Sequence, residues 1–262
     1  MIAYVRHKDI LGELYIPSKE NNNNIGLVWL PGLPNKPIAD DMGKPLSDLG
    51  FTVLQARYPG SWQSYGDFGP SSSVEGALLG AELLSSGRTI NLDNQKEIVW
   101  DIKNLVLVGS SYGGGIAISA LGSTNLADAA IAFCPLIEPE LQNADESLSE
   151  DDLSTLYPYL KRCHENVFRN LKDEEWNDYI NGTHHTVPSK YLSNIKEKAL
   201  FLVHGSEDKS IRKYHTENFY YSLKRIGSEK VRLHIEDGVG HGTGLRLSTK
   251  DIWTEWLIDL FN

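Results

Sequence analysis

Short apolar runs alternate along the chain with longer segments in which apolar residues recur every three or four positions. Apolar, β-branched runs are typical of buried strands, whereas the longer period is typical of helices. The predicted strands cover residues 10–16, 26–34, 51–60, 105–109, 129–135, 199–205 and 231–238. The predicted helices cover residues 37–50, 71–87, 112–121, 212–226 and 248–261. This alternation predicts an α/β fold with a mostly parallel, doubly wound sheet, right-handed crossovers and helices on both faces.

One long segment interrupts the alternation. Residues 136–197, between the strand at 129–135 and the strand at 199–204, contain no convincing strand pattern. Their first part, residues 138–152, holds seven acidic side chains and no basic one, and helical spacing follows it. We expect a single domain over residues 1–262, with this segment as a helical cap insertion over one end of the sheet. The alternative is that the segment simply extends the core.

Composition narrows the classes of function. The net charge of −10 is opposite to that of a nonspecific binder of nucleic acid or anionic membrane. The first residues lack an unbroken apolar signal region, and no apolar run reaches the roughly 18 residues of a membrane-spanning helix. We therefore expect a cytoplasmic protein. Its two cysteines, Cys134 and Cys163, form no CxxC pair, which predicts free thiols and no cysteine-rich metal site.

The strand at 105–109 runs directly into Gly109-Ser110-Ser111-Tyr112-Gly113, which matches the pattern G-x-S-x-G. Glycines after a strand often form only a turn. Here an apolar strand precedes the pattern and a helix-compatible run follows it, which is the context of a nucleophile elbow. The pattern therefore makes Ser111 a candidate nucleophile, placed at the end of a strand and the beginning of a helix.

A serine nucleophile needs a base and an acid that orients the base. His241 lies in a glycine-rich loop after the last predicted strand, and Asp208 follows the strand before it. The order Ser111, Asp208, His241 is the order of a triad carried on successive strand ends of an open α/β sheet. Other acidic residues near the same strand ends compete with Asp208, although the spacing favours Asp208: Glu207, Glu236 and Asp237.

Taken together, these motifs resemble those of the α/β-hydrolases, and most of all the catalytic domains of the prolyl oligopeptidase and dienelactone hydrolase type. The resemblance covers nearly the whole chain and includes the turn at 204–208, the GHG turn at 240–242 and the tyrosine- and glycine-rich stretch at 57–68. It implies an α/β-hydrolase fold in which Ser111 is the nucleophile and His241 the base, oriented by Asp208.

The loop after the strand at 26–34 differs from that of many relatives. It reads Pro-Gly-Leu-Pro over residues 31–34 where those relatives carry His-Gly, and it lacks the tyrosine that peptidase members use. Backbone N–H groups can still form an oxyanion hole, and the expected donors are those of Leu33 and Tyr112. Aromatic residues of the insertion are expected to line the substrate pocket: Tyr157, Trp176 and Tyr179.

These features predict a serine hydrolase that cleaves small carboxylic esters through an acyl-serine intermediate, without metal or organic cofactor. A short, apolar-leaning cap with no expected gating domain suits small neutral esters. The expected partner is a small-molecule acyl substrate, with no nucleic acid or membrane, and a homodimer is left open. Two alternatives remain: a peptidase or amidase of the prolyl oligopeptidase type, and a catalytically silent ligand-binding protein of the same fold.

Overall fold

The computed structural model describes residues 1–34, 42–142, 144, 147, 150–163 and 166–262. The strands in this part of the chain are β1 (Ile2–His7), β2 (Ile10–Tyr15), β3 (Ile25–Leu30), β4 (Thr52–Arg57), β5 (Arg88–Ile90), β6 (Glu97–Val99), β7 (Asn104–Ser110), β8 (Ala129–Phe133), β9 (Ala199–Gly205) and β10 (Val231–Glu236). Eight of them form one sheet in the order β1-β2-β4-β3-β7-β8-β9-β10, and β5 pairs with β6 separately.

Six neighbouring strands of the large sheet run parallel, from β4 to β10, while β1 and β2 are antiparallel at one edge. Every residue of β3 and β9 is buried, as expected for parallel strands that are covered on both faces. The predicted mostly parallel sheet is therefore confirmed. Its parallel strands bring the loops that follow β7, β8, β9 and β10 to one edge of the sheet.

Helices cover both faces of this sheet. They are α1 (Gly43–Asp48), α2 (Pro70–Ser86), α3 (Tyr112–Ser123), α4 (Leu156–Cys163), α5 (Asp173–Ile180), α6 (Leu192–Ile195), α7 (Lys213–Arg225), α8 (Thr243–Ser248) and α9 (Lys250–Phe261). One apolar core lies beneath α2, α3 and α7, and the other lies beneath α1, α8 and α9. Among the described residues, no helix is both long enough and apolar enough to cross a bilayer.

The segment between β8 and β9 contains α4, α5 and α6, and its described part forms no strand of either sheet. Its buried apolar side chains belong to the same core as α2 and α3. Leu160, Phe168, Trp176 and Val187 are each no more than 1% exposed. The described part of this segment is thus helical and packs into that core.

Three elements were not predicted from the sequence: β1, the β5–β6 hairpin and α8. In β1, Ala3 and Val5 are buried, whereas the residues between and around them are exposed or half-buried. An edge strand with one solvent-exposed face contains no continuous apolar run, so the sequence pattern did not indicate it. Of the helix predicted over residues 37–50, the structure has α1 at Gly43–Asp48, and residues 37–41 lie outside the described residues.

Candidate active site

Ser111 occupies the sharp turn between β7 and α3. Its backbone angles are φ 58° and ψ −124°, and residues with a side chain seldom adopt such a positive φ. The turn is tight: a Cβ on Gly109 would lie 2.0 Å from the carbonyl oxygen of Gly113, and one on Gly113 would lie 2.4 Å from that of Leu30. These two glycines therefore allow the strained elbow that the G-x-S-x-G pattern predicts.

The backbone of Ser111 is fixed on both sides. Its N–H donates to the carbonyl oxygen of Phe133 at 2.9 Å, and its own carbonyl oxygen accepts from Gly114, Gly115 and Leu136 at 3.0 to 3.1 Å. These bonds join the elbow to the end of β8 and to the first turn of α3. The N-terminal end of α3, with the positive end of its dipole, thus lies at the serine.

Asp208 and His241 form a hydrogen-bonded pair in the loops that follow β9 and β10. The Nδ1–H of His241 donates to Asp208 Oδ2 at 2.6 Å. Asp208 is 1% exposed, and its Oδ1 accepts from the backbone N–H groups of Ser210 and Ile211 at 2.9 and 3.0 Å. The carboxylate therefore holds the imidazole with Nδ1 protonated, which leaves Nε2 available for another partner.

Burial alone would raise the pKa of Asp208, but hydrogen bonds from His204 and His241 outweigh it and hold that pKa well below its usual range. His204 is fully buried; it donates from Nε2 to the carbonyl oxygen of Ile211 at 2.8 Å, and its Nε2 lies 3.3 Å from Asp208 Oδ2. Its Nδ1 lies 2.8 Å from the hydroxyl of Thr216. His204 is thus a packed residue that supports the acid.

The second nitrogen of His241 faces a sulfur atom. His241 Nε2 lies 4.0 Å from Cys134 Sγ, and among the hydrogen bonds of the described residues none joins His241 to Ser111. Ser111 and His241 nevertheless line the same cavity. In structures without substrate, the contact between nucleophile and base is often long and shortens only when the substrate binds. The structure therefore brings Asp208 and His241 together and places Ser111 beside the same cavity.

Burial lowers the pKa of His241, but the charge and hydrogen bonding of Cys134 and Asp208 raise it to about 10. Cys134 was predicted only as a free thiol, and its place in the site was missed. In the sequence, Cys134 falls inside the predicted strand at 129–135, so no local signal marked it. In the structure it directly follows β8, which lies between β7 and β9, the strands that precede Ser111 and Asp208.

The cavity at Ser111 has a volume of about 480 Å³, a size typical of small-molecule sites. Its apolar lining comes from the loop after β3, from the end of β8, from the insertion and from the loop after β9: Leu33, Pro34, Leu136, Leu153, Leu156 and Ile211. Polar side chains of the insertion also contribute: Gln142, Asp151, Asp152, Thr155, Tyr159 and Arg162. The insertion therefore forms one wall of the cavity.

The residues of the two predicted oxyanion donors, Leu33 and Tyr112, lie beside Ser111. A Cβ on Gly32 would lie 3.1 Å from Ser110 O and 3.2 Å from Ser111 Cβ, so the loop after β3 packs directly against the elbow. Leu33 and Tyr112 both line the cavity. Within the described part of the chain, neither backbone N–H has a hydrogen-bond acceptor. Both residues therefore remain candidates to donate a backbone N–H to a ligand atom in the cavity.

The predicted substrate-pocket residues lie elsewhere. Tyr157, Trp176 and Tyr179 are at most 7% exposed and do not line the cavity at Ser111. Trp176 stacks on Tyr157 and on Tyr112, with ring centroids 5.6 and 6.0 Å apart. Helical geometry explains the difference, because positions three apart share a face of α4. Tyr157 and Leu160 face the core, while the cavity is lined by Leu156, Tyr159 and Arg162.

A metal ion would have few ligands here. In the part of the chain that the structure describes, the ligand atoms of Cys134, Asp208 and His241 lie within 4.8 Å of one another. Two of these residues already share the Nδ1–Oδ2 hydrogen bond.

Comparisons with known proteins identify the family and the fold of the chain. The profile of the prolyl oligopeptidase family matches residues 91–261. No protein of curated description matches the sequence. Among solved structures, the chain is similar to Est1E from Butyrivibrio proteoclasticus, with a TM-score of 0.66 and 14% identity over 100% of this chain and 99% of that one. It is also similar to an esterase from Pyrococcus furiosus, with a TM-score of 0.64 and 17% identity over 100% of this chain and 88% of the esterase.

The chain is also similar to the Pyrococcus horikoshii acylaminoacyl peptidase, with a TM-score of 0.67 and 20% identity. The match covers 100% of this chain but only 41% of the peptidase. At such identities the likeness establishes the fold, which is that of the α/β-hydrolases.

Proposed function

This chain belongs to the prolyl oligopeptidase family of serine hydrolases, and we propose that it hydrolyses small carboxylic esters through an acyl-serine intermediate on Ser111. The observation that carries the proposal is the hydrogen-bonded pair of Asp208 and His241 beside the cavity that the strained Ser111 lines. A strained serine, an oriented imidazole and free N–H groups around one cavity are the parts that acyl transfer requires.

In this mechanism, Ser111 Oγ attacks the ester carbonyl carbon while its proton passes to His241 Nε2. The carbonyl oxygen becomes an oxyanion, which accepts hydrogen bonds from the N–H groups of Leu33 and Tyr112. The tetrahedral intermediate then expels the alcohol, which takes the proton from Nε2. Water repeats the sequence on the acyl-serine, giving the carboxylic acid and free Ser111. Asp208 keeps Nδ1 protonated and stabilises the imidazolium throughout.

Two features of the cavity support esters as the first candidate substrates. Six of its lining residues are apolar or proline, and its volume of about 480 Å³ suits a small acyl or alcohol group. The loop at residues 31–34 offers a backbone donor at Leu33 and no side-chain hydroxyl. Peptide or amide hydrolysis is the second candidate, because the family match and the likeness to an acylaminoacyl peptidase favour it.

A fluorophosphonate probe tests the nucleophile. We expect the native protein to be labelled at Ser111, as read by mass spectrometry of the labelled peptide. Ser111→Ala should abolish labelling and lower ester turnover by about 10⁴-fold. Ser123→Ala is the matched control, since this exposed serine lies at the other end of α3 and its hydroxyl donates to the Ser119 carbonyl oxygen. Labelling at another residue would contradict the proposal, and no labelling would favour a binding protein.

The two candidate substrates are separated by a panel of p-nitrophenyl esters of graded chain length and aminoacyl p-nitroanilides. We expect kcat/KM to be highest for short to medium esters and low for every anilide. Equal or better turnover of the anilides, lost in Ser111→Ala, would instead establish the peptidase.

A further inference from the structure

Cys134 lies between the nucleophile and the acid, because β8 lies between β7 and β9 in the sheet. It directly follows β8, is fully buried, and has a positive φ of 37°. Its N–H donates to the carbonyl oxygen of Val203 at 2.8 Å, which anchors its backbone to β9. The thiol is thus held beside the imidazole of His241 by the sheet itself.

The sulfur has two polar neighbours. Cys134 Sγ lies 4.0 Å from His241 Nε2 and 3.7 Å from Ser110 Oγ. Ser110 Oγ in turn accepts from Nη1 of the buried Arg246 at 2.9 Å. An imidazole and, through Ser110, a guanidinium therefore lie near the thiol, and both favour a negative charge on sulfur.

His241 can serve one partner at a time. Its Nδ1 is bound to Asp208 at 2.6 Å, so the ring can offer only Nε2 to a second group. In this structure, that second group is the thiol of Cys134 and not the hydroxyl of Ser111. The two side chains compete for the nitrogen that must accept the serine proton.

We propose that Cys134 is a positioning residue whose thiol engages His241 Nε2 in the resting enzyme and so competes with the hydroxyl of Ser111 for this nitrogen. The consequence for catalysis rests on the proposed function of Ser111 and His241. A thiolate stabilises the protonated imidazole, and a protonated imidazole cannot take the proton of Ser111. The pair thereby sets the pH above which the base becomes available.

The charged groups around the pair agree with this assignment. His241 faces Asp208 from the loop after β9 and Cys134 from the end of β8, while Arg246 of α8 reaches the thiol through Ser110. His204 of β9 faces the same Asp208 carboxylate. Burial and the charge of the nearby Asp208 carboxylate raise the pKa of the Cys134 thiol, but the charges of His241 and His204 and the His241 hydrogen bond lower it to about 7. The charge on sulfur thus changes near neutral pH.

The pH profile of kcat/KM for a p-nitrophenyl ester tests the proposal. Removing the thiolate removes a stabilising charge from the imidazolium, so Cys134→Ala and Cys134→Ser should each move the acid limb to lower pH by about one unit. Cys163→Ser, which removes the other cysteine of the chain, should leave the limb in place. A residue that only packs would change thermal stability and leave the limb where it is, and that result would overturn the proposal.

A second measurement does not depend on ester hydrolysis. The ultraviolet absorbance of the thiolate, titrated in the wild type and compared by difference with Cys134→Ser, gives the ionisation of Cys134 directly. We expect a step near neutral pH, which moves to higher pH in His241→Gln because the imidazolium is lost. A step that His241→Gln leaves unchanged would refute the pairing. Absence of fluorophosphonate labelling with this titration intact would instead refute only the proposed function.

Discussion

Replacing Asp208 by asparagine tests the acid without changing the shape of the site. The new carboxamide would keep an oxygen for the N–H groups of Ser210 and Ile211, which now donate to Oδ1 at 2.9 and 3.0 Å. Its NH2 group would then replace Oδ2, facing the Nδ1–H of His241 at the 2.6 Å contact. A donor would face a donor, so the imidazole is expected to change tautomer.

The tautomer determines the size of the effect. With Nδ1 as acceptor, Nε2 carries the proton and cannot receive that of Ser111. His204 cannot relieve the conflict, because its Nε2–H already donates to the Ile211 carbonyl oxygen and its Nδ1 faces Thr216. A carboxamide at this position of a triad lowers kcat by about 10⁴-fold, which corresponds to about 5 kcal/mol of transition-state stabilisation.

The assay is the initial rate of p-nitrophenyl ester hydrolysis at saturating substrate, with folding checked by circular dichroism. Asp237→Asn and Glu207→Gln are the matched controls, because both acids are exposed and stand near the same strand ends. We expect both controls to stay within about threefold of the wild type, since exposed charges act weakly at a distance. A folded Asp208→Asn enzyme within about tenfold of the wild type, or an equal loss in a control, would refute the assignment of the acid.

Three further expectations concern the same site. Gly32→Ala would bring a Cβ to 3.1 Å from Ser110 O and 3.2 Å from Ser111 Cβ. The loop must then move, which should shift the Leu33 N–H and lower kcat by about 100-fold with KM little changed. An unchanged kcat would show that Leu33 is not part of the oxyanion hole. Tyr159→Ala should widen the cavity and raise kcat/KM for long-chain relative to short-chain esters. Tyr157→Phe, on the core face of α4, should leave that ratio unchanged. The same ratio in the wild type and both variants would show that α4 does not contact the substrate. The pKa of Asp208 is lowered in the folded protein, so its ionised form stabilises the protein at pH values above the unfolded pKa of about 3.9. In urea unfolding from about pH 5 downward, the free energy of unfolding should fall as the pH approaches the folded pKa. This fall should be shallower in Asp208→Asn.

The predictable parts of the site are those encoded by local sequence. Gly109 is required by contacts within the turn itself, and Gly113 by its close approach to the carbonyl oxygen of Leu30 at the end of β3. Both glycines belong to the G-x-S-x-G pattern, which was enough to locate the elbow. The loops of Asp208 and His241 follow apolar strands, and parallel strands bring such loops to one edge. The order of the strands was therefore enough to predict that Asp208 and His241 lie close together. In the structure they form a hydrogen bond of 2.6 Å.

The parts that were missed depend on neighbours distant in sequence. Helix α4 has apolar residues on two faces, one against the core and one at the cavity, and periodicity cannot tell which is which. Tyr157 was expected at the cavity as an aromatic residue of the insertion, although Leu156 and Tyr159 line it. The contact of Cys134 with His241 joins residues 107 positions apart, and it depends on strand order and on the direction of a side chain.

The stack of Tyr157, Trp176 and Tyr112 joins the insertion to the first residue of α3, immediately after Ser111. Aromatic pairs of this kind contribute about 0.5–1.5 kcal/mol each beyond the area they bury. A chimera that exchanged this insertion for one from another hydrolase would therefore remove part of the interior that supports the elbow. To change the substrate selectivity of the enzyme, we would therefore substitute the residues of α4 that line the cavity and leave the rest of the insertion unchanged.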